Sequence, residues 1–181
     1  EVAWFNEYLE PIVLDEQENP IEVNPVSCFL TSYYDDVTQL DFEEFMRYFP
    51  GDGSKTGETE FQALREVANW PFSEVESLDD MPVPVHKYPR RQVDLILKEY
   101  AGITTEDLDT SAVAYLSEYD AYYNYTSDFG PGMFPCTWGY REGDLLWLYN
   151  EESPSGTDVL TLRRVGDKTY HVVSHQSMGE E

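Results

Sequence analysis

The sequence predicts an α+β fold in which N-terminal helices pack on one face of a C-terminal, four-stranded antiparallel meander. Two apolar stripes, Phe42-Phe45-Met46-Phe49 and Val93-Ile96-Leu97-Tyr100, stand at i, i+3, i+4, i+7, each on one helix face. Beyond Gly130 the apolar period falls to two, in four segments parted by turn residues. Helices followed by a meander is the order expected when helices cover one side of a single sheet. At 181 residues, 41% apolar and 15% aromatic, the chain can bury a core of that kind without staples.

Residues 1–19 mix a few apolar side chains with six acids and no sustained period, which reads as an arm or linker. Ile21 and Val23 alternate in a short strand pattern that Pro25 breaks. The first helix starts behind Asp41, with Glu44 three residues on as a capping box, and stops at Pro50-Gly51. Residues 51–58 form a loop. A second helix is expected from Thr59 to near Asn69, with Phe61, Leu64 and Ala68 inward. Residues 71–89 hold four prolines and must run extended over the surface or along an edge.

The third helix opens at Pro89, carries an Asp94–Lys98 pair and ends at Ala101-Gly102, and 104–108 adds one helical turn. The four strands are "MFPCTWGYRE", "DLLWLYNEE", "VLTLRRV" and "TYHVVSH", with turns at Gly143-Asp144, 153–156 and Gly166-Asp167. In the second strand Leu145, Trp147 and Tyr149 alternate with Leu146 and Leu148, so it is apolar on both faces and central. One domain is expected over 20–177, with 178–181 as a tail.

Thirty-six acids against 11 bases give a formal charge of −25, and every third of the chain is net acidic. Such a field repels phosphate backbones and anionic bilayers, so nucleic-acid binding is excluded, and cations or basic partners are favoured. The simpler reading is that the acids keep the protein soluble. The sequence holds no run of about 18 apolar residues, so no membrane-spanning helix is expected. A monomer in a secreted or surface-tethered location is expected.

Cys28 and Cys136 leave two readings open. A bridge closing about 109 residues would stabilise the fold by about 4–5 kcal/mol, and the other reading is two free thiols. No Cys/His spacing supports zinc, and "DGSKTGETE" (52–60) fails as a calcium loop because Ala63 stands where a bidentate glutamate is needed. No nucleophile elbow, glycine-rich phosphate loop or other catalytic motif is present, and neither a cofactor nor a metal is expected. "NYT" (124–126) is a glycosylation sequon.

The densest polar-aromatic stretch is "YDAYYNYTSDFGPG" (119–132). As a helix it would align Tyr115, Tyr119, Tyr122 and Tyr123. As a strand it would align Tyr119, Ala121, Tyr123 and Tyr125. The favoured reading is a seam of the core. The functional one is a recess of Tyr119, Tyr122 and Tyr123, with Asp120, Asn124 and Asp128 as orienting groups and His86 alongside. A hydrolase would need Asp120 or Asp128 paired with a histidine such as His86. His171 and His175, four apart on a strand, sit about 13 Å apart, too far to share a metal.

"MPVPVHKYPRRQVDLILKEYAGITTEDLD", "YDAYYNYTSDFGPGMF", "EGDLLWLY" and "YHVVSHQ" together resemble an uncharacterised family of secreted or lipid-anchored proteins from Gram-positive bacteria, over roughly residues 26–176. The resemblance implies export, a lipid anchor on a cysteine upstream of Glu1 and a cell-envelope location. It implies no activity and carries over no catalytic residue. The function expected is therefore non-catalytic binding of an envelope ligand, whether glycan, peptide or protein, with the small hydrolase as the alternative.

Overall fold

The computed structural model describes residues 13–14, 20–22, 25–49, 54–125, 134–166 and 169–179. Its helices are α1 (Phe42–Arg47), α2 (Glu58–Arg65) and α3 (Arg90–Ala101). The strands are β1 (Val13–Leu14), β2 (Pro20–Glu22), β3 (Val85–Pro89), β4 (Ala114–Leu116), β5 (Ala121–Tyr125), β6 (Trp138–Glu142), β7 (Leu145–Ser153), β8 (Gly156–Arg164) and β9 (Tyr170–Ser177). β1 and β2 pair with each other, β3-β5-β4 make a three-stranded antiparallel sheet, and β6-β7-β8-β9 make the expected four-stranded meander. The fold is α+β. None of the described helices is long and apolar enough to cross a membrane.

Local chemistry sets the helix ends. Asp41 caps α1 by accepting the Glu44 N–H at 3.1 Å, which satisfies a donor the first turn leaves free. Gly102 ends α3 in the left-handed region, φ +66°, its N–H returning to the Leu97 and Lys98 carbonyls. Four ends differ from expectation. α1 stops at Arg47, short of Pro50. α2 starts behind Gly57 and stops at Arg65, and Pro89 is the cap of α3, not its first residue. Asp94 pairs with Arg90 at 3.0 Å, not with Lys98, and its other oxygen accepts the Thr105 N–H at 2.8 Å.

The main core lies between the meander and two helices. Leu146 and Leu148 of β7, Leu160 and Leu162 of β8 and Val172 of β9 face Val93 and Leu97 of α3 and Phe45 and Met46 of α1. Each such side chain contributes on the order of 1.5–3 kcal/mol by leaving water. α2 departs from the expectation that all helices cover the meander. Its Phe61 and Leu64 pack instead with Ala114, Leu116, Ala121 and Tyr123 on the three-stranded sheet.

That sheet is shared by both clusters. Tyr88 and Tyr122 point into the main core, where Phe49, just beyond α1, and Phe42 of α1 meet them edge-on at 5.6 and 5.1 Å. Ala121 and Tyr123 point the other way. The proline-rich stretch does lie at an edge: β3 is the outer strand of this sheet, with Lys55 bridging to His86 on its far side.

Candidate functional site

"YDAYYNY" is a turn followed by a strand. Residues 117–120 join β4 to β5, and Asp120 takes φ +47°, a conformation that aspartate tolerates better than most residues. Its carboxylate accepts two hydrogen bonds from Arg90, at 2.7 and 3.0 Å, and one from the Tyr115 hydroxyl at 2.5 Å. The Arg90 guanidinium first, then Tyr115, holds Asp120 below the usual carboxylate range. An open cleft of about 550 Å³ lies beside this cluster, lined in part by Asn69, Arg90, Thr105, Tyr115 and Tyr122. Arg90 is already engaged by Asp94 and Asp120, so it brings no free charge to a ligand there.

The proposed recess of phenols does not form. Tyr122 and Tyr123 are neighbours on β5, so the strand period sends them to opposite faces, and both are buried. The Tyr123 hydroxyl donates to Glu60 of α2, whose carboxylate also holds Lys87 at 3.0 Å. Burial pushes Glu60 up. Hydrogen bonds from Tyr123, Lys87 and the Gly57 N–H, with the Lys87 charge, outweigh it and leave the group below its ordinary value. Burial, then Glu60, pushes the Tyr123 phenol up. Lys87 also sits 5.4 Å from the ring centroid of half-buried Tyr119. This triad pins α2 to the sheet.

Asn124 faces His86 across β5 and β3. Its Nδ2 is buried without a hydrogen-bond partner among the described residues. Asp128 lies outside the described residues. The Asp120–His86 pair of a hydrolase is absent. Asp120 stands in the turn before β5, opposite Arg90 and four residues from the Asn124–His86 pair, hence about 13 Å from His86 along the strand.

Aspartate and histidine approach each other elsewhere. Buried His175 lies within electrostatic reach of Asp158, but its Nδ1 is 2.7 Å from the Ser32 carbonyl, and Asp158 accepts from Tyr33 and Ser155 at 3.0 and 3.1 Å. Each group is thus held by structural bonds of its own. Cys28 and Cys136 are free thiols, bonded separately to the Tyr48 and Trp138 carbonyls. Among the described residues no group of three or more His, Cys, Asp or Glu could hold a metal.

The accessible aromatic surface is on the outer face of the meander. β6 and β7 pair so that Trp138 stands opposite Tyr149 and Tyr140 opposite Trp147. Trp138 and Tyr149 stack at 4.1 Å and 3°, and Tyr140 and Trp147 at 4.8 Å and 14°. The four rings thus form a ladder backed by β7. Trp138 is 46% exposed and Tyr140 40%, their centroids 6.2 Å apart and their planes within 20°. One face of each β6 ring rests on a β7 ring, and the other looks past the outer strand. Burial, then a hydrogen bond with Tyr140, raises the Tyr149 pKa.

The sequence itself holds a signal for this ladder. Trp-x-Tyr occurs twice, at 138–140 and 147–149, on either side of the Gly143-Asp144 turn, and a hairpin there must oppose the two pairs. No family model, no curated protein and no solved structure matches the chain.

Proposed function

We propose that this protein is a non-catalytic binding domain of the cell envelope, exported from the cell, and that its contact surface is the Trp138–Tyr140–Trp147–Tyr149 ladder. The observation that carries the reading is the exposure of two stacked, near-parallel rings on the outer strand of the meander. Large rigid aromatics cost little side-chain entropy to immobilise and dominate contact energies at binding surfaces. Stacking on Trp147 and Tyr149 holds the β6 rings ready before any ligand arrives, which cuts the ordering cost of binding. The strongly acidic composition, −25 overall, suits an exported protein and disfavours polyphosphate ligands. Resemblance to exported Gram-positive proteins points to the same location.

The test is retention of the purified protein on isolated Gram-positive envelope material. Wild type should be retained. A Trp138→Ala/Tyr140→Ala variant should bind about tenfold or more weakly, the usual consequence of truncating a central aromatic. Its unfolding midpoint should stay close to wild type, since both side chains are largely outside the core. Equal retention of the two proteins would remove the ladder from the function.

A further inference from the structure

We infer that the ladder receives an extended peptide segment carrying Lys or Arg side chains at alternate positions. The inference rests on the reading of the ladder as the contact surface, and it names the occupant. Three features of β6 lead to it.

The first is spacing. The exposed rings of Trp138 and Tyr140 are 6.2 Å apart. Alternate side chains of an extended chain project to one side about 6.5–7 Å apart. A strand-like segment lying along β6 therefore brings one side chain to each ring in register.

The second is charge. Glu142 continues the alternation of Trp138 and Tyr140 and is exposed, and Glu151 is exposed at the other end, beyond Tyr149. Among the described residues neither carboxylate is in an ion pair, whereas Asp144 of the turn holds Arg163 at 3.8 Å. By strand alternation Arg141 falls on the opposite face from the rings. Ring faces bracketed by free carboxylates attract cations by cation–π and Coulomb terms together, and a body of −25 gathers basic segments toward it. The ring faces alone would accept a neutral sugar equally well. The carboxylates favour a cationic guest.

The third is the edge. β7 is the only strand neighbour of β6 among the described residues. An outer strand is where an added extended segment finds room and backbone partners.

Calorimetric titration of the full chain with four probes tests this. They are a blocked peptide alternating Arg and Thr, the same peptide with citrulline for Arg, a peptide of the same composition with its arginines adjacent, and a neutral β-1,4-linked glucose hexasaccharide. The alternating Arg peptide should bind wild type, and more weakly as salt rises. Citrulline or adjacent arginines, and Trp138→Ala or Tyr140→Ala in the protein, should each weaken it by about tenfold or more. Glu142→Gln should weaken it several-fold, with circular dichroism unchanged throughout. Equal binding of the arginine and citrulline peptides, or no binding of either, overturns the inference. Hexasaccharide binding that depends on Trp138, without peptide binding, overturns it while leaving the ladder reading intact. Envelope retention that ignores Trp138 removes both.

Discussion

The guanidinium of Arg90 grips the carboxylate of Asp120 with two hydrogen bonds, at 2.7 and 3.0 Å, while the Arg90 N–H donates to the Asp120 carbonyl at 2.9 Å. A residue at the start of α3 is thereby latched, by side chain and backbone, to the left-handed corner of the β4–β5 turn. Asp120→Asn keeps a residue that tolerates φ +47° but removes the charge. Its unfolding midpoint should fall at neutral pH. The folded-state pKa of Asp120 is depressed, so its contribution is present above the ordinary value of 3.8 and is lost as pH falls through the folded value. The difference between the two proteins should shrink in that acid window, as followed by thermal unfolding. A difference that stayed constant with pH would mean the charge is not what holds the turn.

Tyr123 and Glu60 make the other polar fastening. Tyr123→Phe leaves a buried carboxylate one donor short and should cost about 1–3 kcal/mol by chemical denaturation. A double-mutant cycle with Glu60→Gln should show coupling, because the two groups share one bond. Additive losses would mean that each side chain matters only through its packing.

Gly102 has two separate reasons to be glycine. Its φ of +66° strains any L side chain, and an added Cβ would meet His171 Nδ1 at 2.7 Å. Gly102→Ala should cost about 1–2 kcal/mol for the backbone alone, and more with the clash. Adding His171→Ala should recover only the clash, measured as the change in denaturant midpoint.

Acidification should weaken the fold near neutrality. Burial lowers the pKa of His175 against the Ser32 carbonyl and Asp158, and burial lowers that of His86. A depressed histidine contributes fully above its unfolded value of 6.5 and loses that contribution as pH falls toward its folded value. Thermal scans should show the midpoint dropping below pH 6.5, and His175→Gln should flatten that drop. An unchanged slope in the variant would assign the effect elsewhere.

Thiol titration without reductant should find two reactive cysteines in denaturant, since both are free. In the native protein Cys28 should not react, being buried, and Cys136 should react slowly because burial raises its pKa. No thiol in denaturant would mean that the pair is bridged.

Much of this fold is written locally. The Phe42-Phe45-Met46-Phe49 stripe, the Asp41 cap and the four alternating segments after residue 130 each hold their information within a few residues. The sequence alone therefore settles α1, α3 and the meander. α2 was legible as a helix but not as to its partner, since Phe61 and Leu64 suit either sheet equally well. Tyr122 and Tyr123 resisted reading because helical and strand periods both aligned the tyrosines. Cross-strand pairing with Tyr88 and Lys87 decided between them and sent one ring into each core.

Composition and period determined that an acidic α+β protein would place helices on a C-terminal meander. Tertiary structure alone decided which aromatics meet water. Tyr122 and Trp138 look alike in sequence, yet the first is sealed by Phe42 of α1, while the second lies on the outer strand and is exposed. Burial depends on what packs against a face from far along the chain, and no local pattern encodes that.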